Sequence, residues 1–118
     1  MTNPFRDQEK FMRACDQSVT GDQAQFDMYM DLIDEEYKEL KDANDDVETL
    51  DALIDILVVT IGAIHSAGFD GEGAWKEVMM TNFAKIDRDT GKVRKREDGK
   101  VLKPVGWTAP DLNPFLKK

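Results

Sequence analysis

The most constraining feature of this sequence is a run of thirteen residues, ALIDILVVTIGAI at 52–64, in which Asp55 is the only charged residue. A helix that is apolar on nearly every face is buried, either inside a helical bundle or at an interface between copies of the chain. Burying a single carboxylate is strongly unfavourable unless it is paired or holds a metal ion. We therefore expect Asp55 to have a partner.

Hydrophobic periodicity predicts that most of the chain is helical. Between Phe26 and Leu40, apolar residues recur at spacings of three and four over four turns, which is typical of a long amphipathic helix. Asn3 and Pro4 are typical of a helix start, and Gly68 is typical of a helix end. The four predicted helices cover about residues 5–19, 22–43, 47–66 and 71–86. We therefore expect an all-α fold, a four-helix bundle.

The chain beyond the fourth predicted helix has a different character. The tripeptide Gly91-Lys92-Val93 recurs as Gly99-Lys100-Val101, and Asp98-Gly99 between short runs of Val, Arg and Lys predicts a small β-hairpin. The tail holds three of the four prolines and is expected to be extended. A chain of 118 residues has room for one small core. We predict a single domain, 1–118, with a helical core over about 4–87 and a basic hairpin and tail over about 88–118.

Charge is unevenly distributed along the chain. Residues 1–72 carry 5 Lys/Arg and 18 Asp/Glu, and residues 73–118 carry 11 and 6, so the net charges are −13 and +5. Carboxylates bind hard cations, and Lys and Arg bind phosphate oxygens, so this division suits a metal–polyphosphate complex. The alternative is a solvated acidic face with an unrelated basic tail. The net charge of −8 argues against general binding of nucleic acid.

Rare residue types exclude other classes of protein. Cys15 is the only cysteine and His65 the only histidine, which argues against a disulfide framework, a zinc site or a histidine-dependent catalytic triad. The first residues lack the apolar core of a signal peptide, and no uncharged run is long enough to span a bilayer. We therefore expect a cytoplasmic protein without membrane contact.

Three carboxylates lie on one face of the third predicted helix. Glu48, Asp51 and Asp55 have the spacing i, i+3, i+7, which places them on one stripe where they repel each other. A divalent cation between them would explain the arrangement. An EF-hand is excluded, because a loop starting at Asp42 has Val47 where glycine is required.

The second predicted helix supplies a matching set of carboxylates in Glu35-Glu36-x-x-Glu39. Glu36 borders the apolar face and should be partly buried. A short polar connection makes the two helices antiparallel neighbours, so their acidic patches are expected to face each other. Ligation by oxygen alone favours Mg²⁺ or Mn²⁺. The alternative is a solvated helix face with salt bridges to Lys38 and Lys41.

These motifs resemble the all-α nucleoside triphosphate pyrophosphohydrolases, which include the MazG-like enzymes, the dimeric dUTPases and phosphoribosyl-ATP pyrophosphohydrolase. The resemblance also includes Asn82-x-x-Lys85, which looks like the family's Asn-x-x-Lys at the end of the fourth helix. The segment 96–104 with Pro110-Asp111 looks like a phosphoribosyl-ATP-pyrophosphohydrolase-like branch common in phages and bacteria. One departure is Ala52, because the usual second motif is Glu-x-x-Asp. We therefore favour Asp51 with Asp55 as ligands, and Glu48 is the doubtful one.

The resemblance implies a reaction and a set of residue roles. Family members bind Mg²⁺ on the two acidic helices and cleave the α–β phosphoanhydride of a nucleotide to a monophosphate and pyrophosphate. Glu36, Glu39, Asp51 and Asp55 would be metal ligands, and Glu35 a further ligand or the base that orients water. The residues that would bind the substrate are Asn82, Lys85, Lys92, Arg96, Lys100, Lys103 and Trp107.

The sequence also leads to predictions about the oligomeric state and the substrate. A small four-helix unit would leave apolar faces of the third helix exposed, so we predict a homodimer or homotetramer in which a neighbouring chain completes each nucleotide pocket. A purine (d)NTP such as dGTP or GTP is the predicted substrate, in the host cytoplasm if the protein is phage-encoded. The competing hypotheses are phosphoribosyl-ATP as substrate and a non-catalytic helical module that binds a basic partner.

Overall fold

The computed structural model describes residues 3–118, which contain four α-helices. They are α1 (Pro4–Ala14), α2 (Gln23–Asp42), α3 (Asp46–Ser66) and α4 (Gly71–Phe83), and a short 3-10 helix follows at Asn113–Phe115. This range contains no β-strand, so the predicted all-α class is confirmed. None of its helices combines the length and apolar character needed to cross a bilayer.

The two longest helices, α2 and α3, pack against each other. They are connected by residues 43–45 alone. Gly62 allows their close approach, because a Cβ there would collide with the ring of Tyr29. Asp45 caps α3 by accepting the backbone N–H of Glu48 at 2.8 Å. Helix α1 packs on α3 as well, and Met12 is fully buried in the shared core. The α2–α3 pair is therefore the frame that positions the acidic residues.

The first helix is shorter than predicted: it ends at Ala14 rather than near residue 19. Asp16 adopts the left-handed region at φ 58°, which stops the helix and allows Val19 to turn back into the core. The side chain of Gln25 then fixes the loop, because it accepts the N–H of Ser18 at 2.9 Å and donates to its carbonyl at 2.7 Å.

Residues 3–71, together with Phe115–Lys118, form one compact unit. The final residues are bound to the end of α3 by backbone hydrogen bonds, from Asp70 N–H to the Phe115 carbonyl at 2.9 Å and from Lys118 N–H to the Gly68 carbonyl at 3.1 Å. The first unit is therefore completed by residues from both ends of the described chain.

A second compact unit, Glu72–Pro114, contains most of α4 and the irregular chain that follows it. The β-hairpin predicted here is not shown, because no strands are assigned in this unit. Only two isolated antiparallel bridges occur within residues 3–118, Ile86 with Val93 and Lys95 with Val101. The segment between the bridges is charged and exposed, and a two-stranded ribbon without an apolar face to bury is marginal in water.

Candidate active site

The carboxylates of α2 differ in exposure because the helix is amphipathic. Glu35 and Glu39 are exposed, whereas Glu36 is half-buried beside the partly buried Ile33 and Leu40. Oε2 of Glu36 is buried without a hydrogen-bond partner. A buried polar atom without a partner is unfavourable, so this oxygen is available to bind a cation.

The carboxylates of α3 lie in the electric field of those on α2. Burial raises the pKa of Asp55, and the negative charges of Asp51 and Glu39 raise it further. Burial also raises the pKa of Glu36, followed by the adjacent carboxyl of Glu39 and then the charges of Asp55 and Asp51. Because each helix perturbs groups on the other, the two acidic patches are neighbours.

The degree of burial of Asp55 differs from the expectation. This residue is half-buried rather than enclosed, and the neighbouring Leu53, Ile54 and Leu57 are exposed. The helix is apolar all round, but only one of its faces packs against α1 and α2 within the chain. Asp55 therefore lies at the boundary between the packed face and the open one.

No lysine or arginine compensates these charges within residues 3–118. None of the four carboxylates Glu36, Glu39, Asp51 and Asp55 makes an ion pair in this range. Lys41 lies over the ring of Tyr37, with Nζ 4.3 Å from the ring centroid. The alternative of a salt-bridged helix face therefore has no support here.

Glu48 has a local structural role at the start of α3. Its Oε2 accepts the backbone N–H of Asn44 at 2.8 Å, while its own N–H is bound by Asp45. This reciprocal arrangement closes the turn between α2 and α3. Glu48, whose role as a ligand was doubtful from the sequence, is thus a capping residue.

A cation would be held by oxygen atoms at this site. Within residues 3–118, no three Asp, Glu, His or Cys side chains are already gathered closely enough to enclose a metal ion. The unpartnered Oε2 of Glu36, the raised pKa values of Glu36 and Asp55 and the all-oxygen donor set nevertheless fit Mg²⁺ or Mn²⁺. The assignment of Glu35, Glu36, Glu39, Asp51 and Asp55 stays a prediction.

Four of the predicted substrate-binding residues cluster in the second unit. Lys85 Nζ donates to Asn82 Oδ1 at 3.1 Å, and it lies 5.0 Å from the ring centroid of Trp107. Lys103 Nζ lies 5.0 Å from the same centroid. Sequence reasoning missed Thr81, whose carbonyl accepts the indole N–H of Trp107 at 2.7 Å. No local signal could reveal this pair, because 26 positions separate the two residues.

The other three predicted substrate-binding residues lie on the exposed segment beyond α4. Arg96 is bound locally, with its guanidinium donating to both carboxylate oxygens of Asp98 at 2.6 and 3.2 Å. This contact lowers the pKa of Asp98, helped by the backbone N–H of Lys100. Lys92 and Lys100 are exposed. The role of these residues in substrate binding stays a prediction.

Comparison with known proteins identifies the family. The model of the phosphoribosyl-ATP pyrophosphohydrolase family matches residues 8–82, which include both acidic helices and end at Asn82. No curated protein matches the chain. The matched segment covers more than half of the sequence and contains the α2–α3 frame with its facing carboxylates. This chain therefore belongs to the phosphoribosyl-ATP pyrophosphohydrolase family of the all-α NTP pyrophosphohydrolase (MazG-like) superfamily, whose members are hydrolases acting on phosphoanhydrides.

Proposed function

We propose that this protein is a metal-dependent nucleoside triphosphate pyrophosphohydrolase that cleaves the α–β phosphoanhydride of a (d)NTP. The observation that carries this proposal is the set of uncompensated carboxylates on α2 and α3, with Oε2 of Glu36 buried and unpartnered. A purine nucleotide such as dGTP or GTP is the proposed substrate. Water attacks phosphorus, the bridging P–O bond breaks, and the products are a monophosphate and pyrophosphate.

The carboxylates have distinct proposed roles. Glu36, Glu39, Asp51 and Asp55 would hold Mg²⁺ or Mn²⁺, and their mutual repulsion is relieved when they do so. The chemistry that the bound cation supplies is neutralisation of the triphosphate and activation of the attacking water. Glu35 is exposed, so it is free to orient that water and accept its proton, or to serve as a further ligand.

The basic residues of the second unit are the proposed phosphate ligands. Ammonium and guanidinium groups bind phosphate oxygens through short, charge-assisted hydrogen bonds. Asn82 adds an amide, and its oxygen already orients Lys85. The proposed substrate-binding set is Asn82, Lys85, Lys92, Arg96, Lys100, Lys103 and Trp107.

Phosphoribosyl-ATP is the second candidate substrate, and the family match favours it. The family model carries that name and covers the acidic helices. Hydrolysis of phosphoribosyl-ATP would use the same carboxylates, because it breaks the same kind of bond. A helical module that binds a basic partner without catalysis is the remaining candidate, and the acidic patch is its only support.

A product assay decides among these candidates. The protein is incubated with eight NTPs and dNTPs and with phosphoribosyl-ATP, in Mg²⁺ or Mn²⁺, and the products are identified. We expect a monophosphate and pyrophosphate from a purine nucleotide, and a rate at least a hundredfold lower in Asp55→Asn. Asp31→Asn is the matched control, since Asp31 is an exposed carboxylate on α2 outside the proposed site.

The other outcomes of the assay have defined meanings. Turnover of phosphoribosyl-ATP alone would establish the second candidate, and a diphosphate with phosphate would show that a different bond is cut. Near-native activity of Asp55→Asn would remove Asp55 from the site. An absence of turnover with both metals would leave the binding module.

We also propose that the chain forms a homodimer or homotetramer. The open face of α3 presents apolar residues at spacings of three and four, and these are Leu50, Leu53, Ile54, Leu57 and Val58. Such a stripe on a helix is suited to packing against the same stripe of another copy. A neighbouring chain placed there lies beside Asp55, so it is also in position to contribute to the nucleotide pocket.

A further inference from the structure

Gly62 lies in the interior of α3 and is buried against α2. Glycine in a helix interior is unfavourable relative to alanine, so its presence there needs a reason from packing. A Cβ at position 62 would lie 2.6 Å from Cδ1 and 2.8 Å from Cζ of Tyr29, and closer still to Cε1. Carbon atoms in contact are normally about 3.5–4.0 Å apart, so any side chain at this position pushes α2 and α3 apart by about 1 Å.

The ring of Tyr29 is fixed, so it does not simply move out of the way. Tyr29 is 5% exposed and packs in the core with Met12, Val59 and Ala63. Its hydroxyl donates to Gln17 Oε1 at 2.6 Å, which holds the end of the ring. In a closely packed core, an added methyl group is felt as a shift of the neighbouring backbone. The contact between Tyr29 and Gly62 is therefore a fixed point of the α2–α3 pair.

The register of the two helices relates this contact to the carboxylates. Counting seven residues forward from Tyr29 reaches Glu36, and counting seven back from Gly62 reaches Asp55. Because the helices are antiparallel, both counts lead in the same direction in space. Seven residues are about two helical turns, so the two carboxylates lie on the same stripes as the contact, about 10 Å along the pair. The electrostatic effect of Asp55 on Glu36 agrees with this register.

The carboxylates lie between this contact and a second fixed point, the turn at residues 43–45. Glu48 closes that turn by accepting the N–H of Asn44 at 2.8 Å. If the helices separate by about 1 Å at Gly62 and pivot on the turn, the separation at Asp55 grows by roughly half of that. Metal–ligand distances at a bound cation vary by only about 0.2 Å. A small change at Gly62 therefore reaches the candidate metal site.

We propose that Gly62 and Tyr29 are positioning residues that set the distance between the carboxylates of α2 and those of α3, and thereby the affinity for a divalent cation. Neither residue touches the cation, because both lie two helical turns from the site. They act through the spacing of Glu36 and Asp55. The role of these carboxylates as ligands rests on the proposed function, whereas the spacing itself does not.

Binding of Mn²⁺ to the nucleotide-free protein tests this role, with free Mn²⁺ measured by electron paramagnetic resonance. We expect Gly62→Ala to raise the dissociation constant at least tenfold. Tyr29→Trp enlarges the ring on the other side of the same contact, so it should act in the same direction. Gly62→Ala combined with Tyr29→Ala removes the collision and should restore most of the lost affinity. Gly71→Ala is the matched control, because its Cβ would collide with Phe5 and Ile64, away from α2.

Crystal structures of the metal-free parent and of metal-free Gly62→Ala measure the spacing itself. We expect the distance between the Cα atoms of Glu36 and Asp55 to be about half an ångström longer in the variant. Circular dichroism of every variant checks that the helices are intact, so a change in Mn²⁺ binding is not a loss of folding.

The outcomes separate the positioning role from the proposed reaction. An unchanged distance, parental Mn²⁺ affinity in both Gly62→Ala and Tyr29→Trp, an equal loss in Gly71→Ala, or a double variant that is not rescued would each overturn the positioning role. A parent that binds no Mn²⁺ would remove the metal site with the proposed function, and would reduce Gly62 and Tyr29 to a structural spacer. Mn²⁺ binding that responds as expected, without turnover of any nucleotide, would leave the positioning role standing and remove the reaction.

Discussion

At Glu36, a buried carboxylate oxygen without a partner lies beside the charges of Glu39, Asp51 and Asp55. Residues that favour binding of a ligand often disfavour folding in its absence, because their electrostatic repulsion is relieved only by that ligand. The raised pKa of Glu36 determines whether its contribution to stability grows or falls with pH. The unfolded chain ionises Glu36 first, so the contribution of this group to stability is lost as the pH rises above 4.5 toward neutrality.

Glu36→Gln removes the charge and keeps the shape of the side chain. At pH 7.5 we expect the metal-free variant to melt at the same temperature as the parent or a few degrees higher, because one of four repelling charges is gone. We expect Mg²⁺ to raise the melting temperature of the parent, and we expect this rise to be absent in Glu36→Gln. Differential scanning fluorimetry with EDTA or with Mg²⁺ measures both effects.

The same carboxyl chemistry provides the control for this variant. Asp31→Asn on α2 removes an equal charge from an exposed position, and it should retain the full response to Mg²⁺. A Glu36→Gln protein that melts well below the parent in EDTA, yet keeps that response, would contradict a ligand role for Glu36.

At the scale of elements, α3 joins two different surfaces. One face packs on α1 and α2 through residues such as Val59 and Ala63, and the other exposes the stripe that includes Leu53 and Leu57. The first face makes the fold of the single chain, and the second is the proposed contact between copies.

A charge in the middle of the open stripe tests that contact. We expect the parent to be a dimer or tetramer at micromolar concentration by size-exclusion chromatography with light scattering, and Leu57→Glu to shift it to the monomer. Ala14→Glu places the same charge at an exposed position of α1 and should leave the assembly intact. A parent protein that elutes as a 13.4 kDa monomer would rule out the assembly.

Helix α2 shows why much of the fold could be predicted from sequence. Its apolar spacing is local and sustained, and its observed bounds, Gln23–Asp42, lie within a residue of the prediction. The end of α1 could not be predicted, because it depends on a left-handed Asp16 and on the distant packing of Val19. The predicted hairpin is not shown as a pair of strands, and its turn is flanked only by an isolated bridge between Lys95 and Val101.

Some features of the candidate site could likewise be predicted from the sequence, and others could not. The motif Glu35-Glu36-x-x-Glu39 and the isolated Asp55 are visible as patterns within one or two helical turns. The cap formed by Glu48 is also local, because Asp45-x-x-Glu48 is a capping box, although the sequence-based prediction considered Glu48 only as a doubtful ligand. The bond from Trp107 to Thr81 joins residues that lie 26 positions apart, so no local pattern reveals it.

At the scale of the whole molecule, Lys118 fastens the final residues to the first unit. Its Nζ donates to the Val19 carbonyl at 2.7 Å and to Glu9 Oε1 at 3.0 Å, and it lies 3.0 Å from His65 Nδ1. His65 Nε2 lies 2.8 Å from the Phe5 carbonyl. Because that carbonyl only accepts and the ammonium only donates, we assign His65 as neutral, with its proton on Nε2.

This contact predicts how stability depends on pH. Burial lowers the pKa of His65, and the charge of Lys118 lowers it further against the opposing effects of the Phe5 carbonyl and Glu9. The unfolded chain therefore binds the proton first, and stability is lost as the pH falls below 6.5. Protonation would also place Nδ1–H against the Lys118 ammonium.

Chemical denaturation between pH 7 and about pH 5.5 measures this loss, a range in which unperturbed histidine titrates. The free energy of unfolding of the parent, measured relative to that of His65→Gln, should decrease as the pH falls across the range, because His65 is the only histidine. An identical slope in the two proteins would refute the assignment. Glu36 and Asp55 act in the opposite sense, since their raised pKa values make acidification favourable.

The hydrogen bond between Asp70 and Phe115 has a consequence for biosynthesis. The helices α1, α2 and α3 of the first unit are synthesised early. Lys118, which binds Glu9, follows it by 109 positions along the chain. The ribosome must therefore synthesise all of the residues in between before the contact of Lys118 with Glu9 can form. Until residues 115–118 are synthesised, the contacts that Phe115 and Lys118 make with the rest of the first unit cannot form.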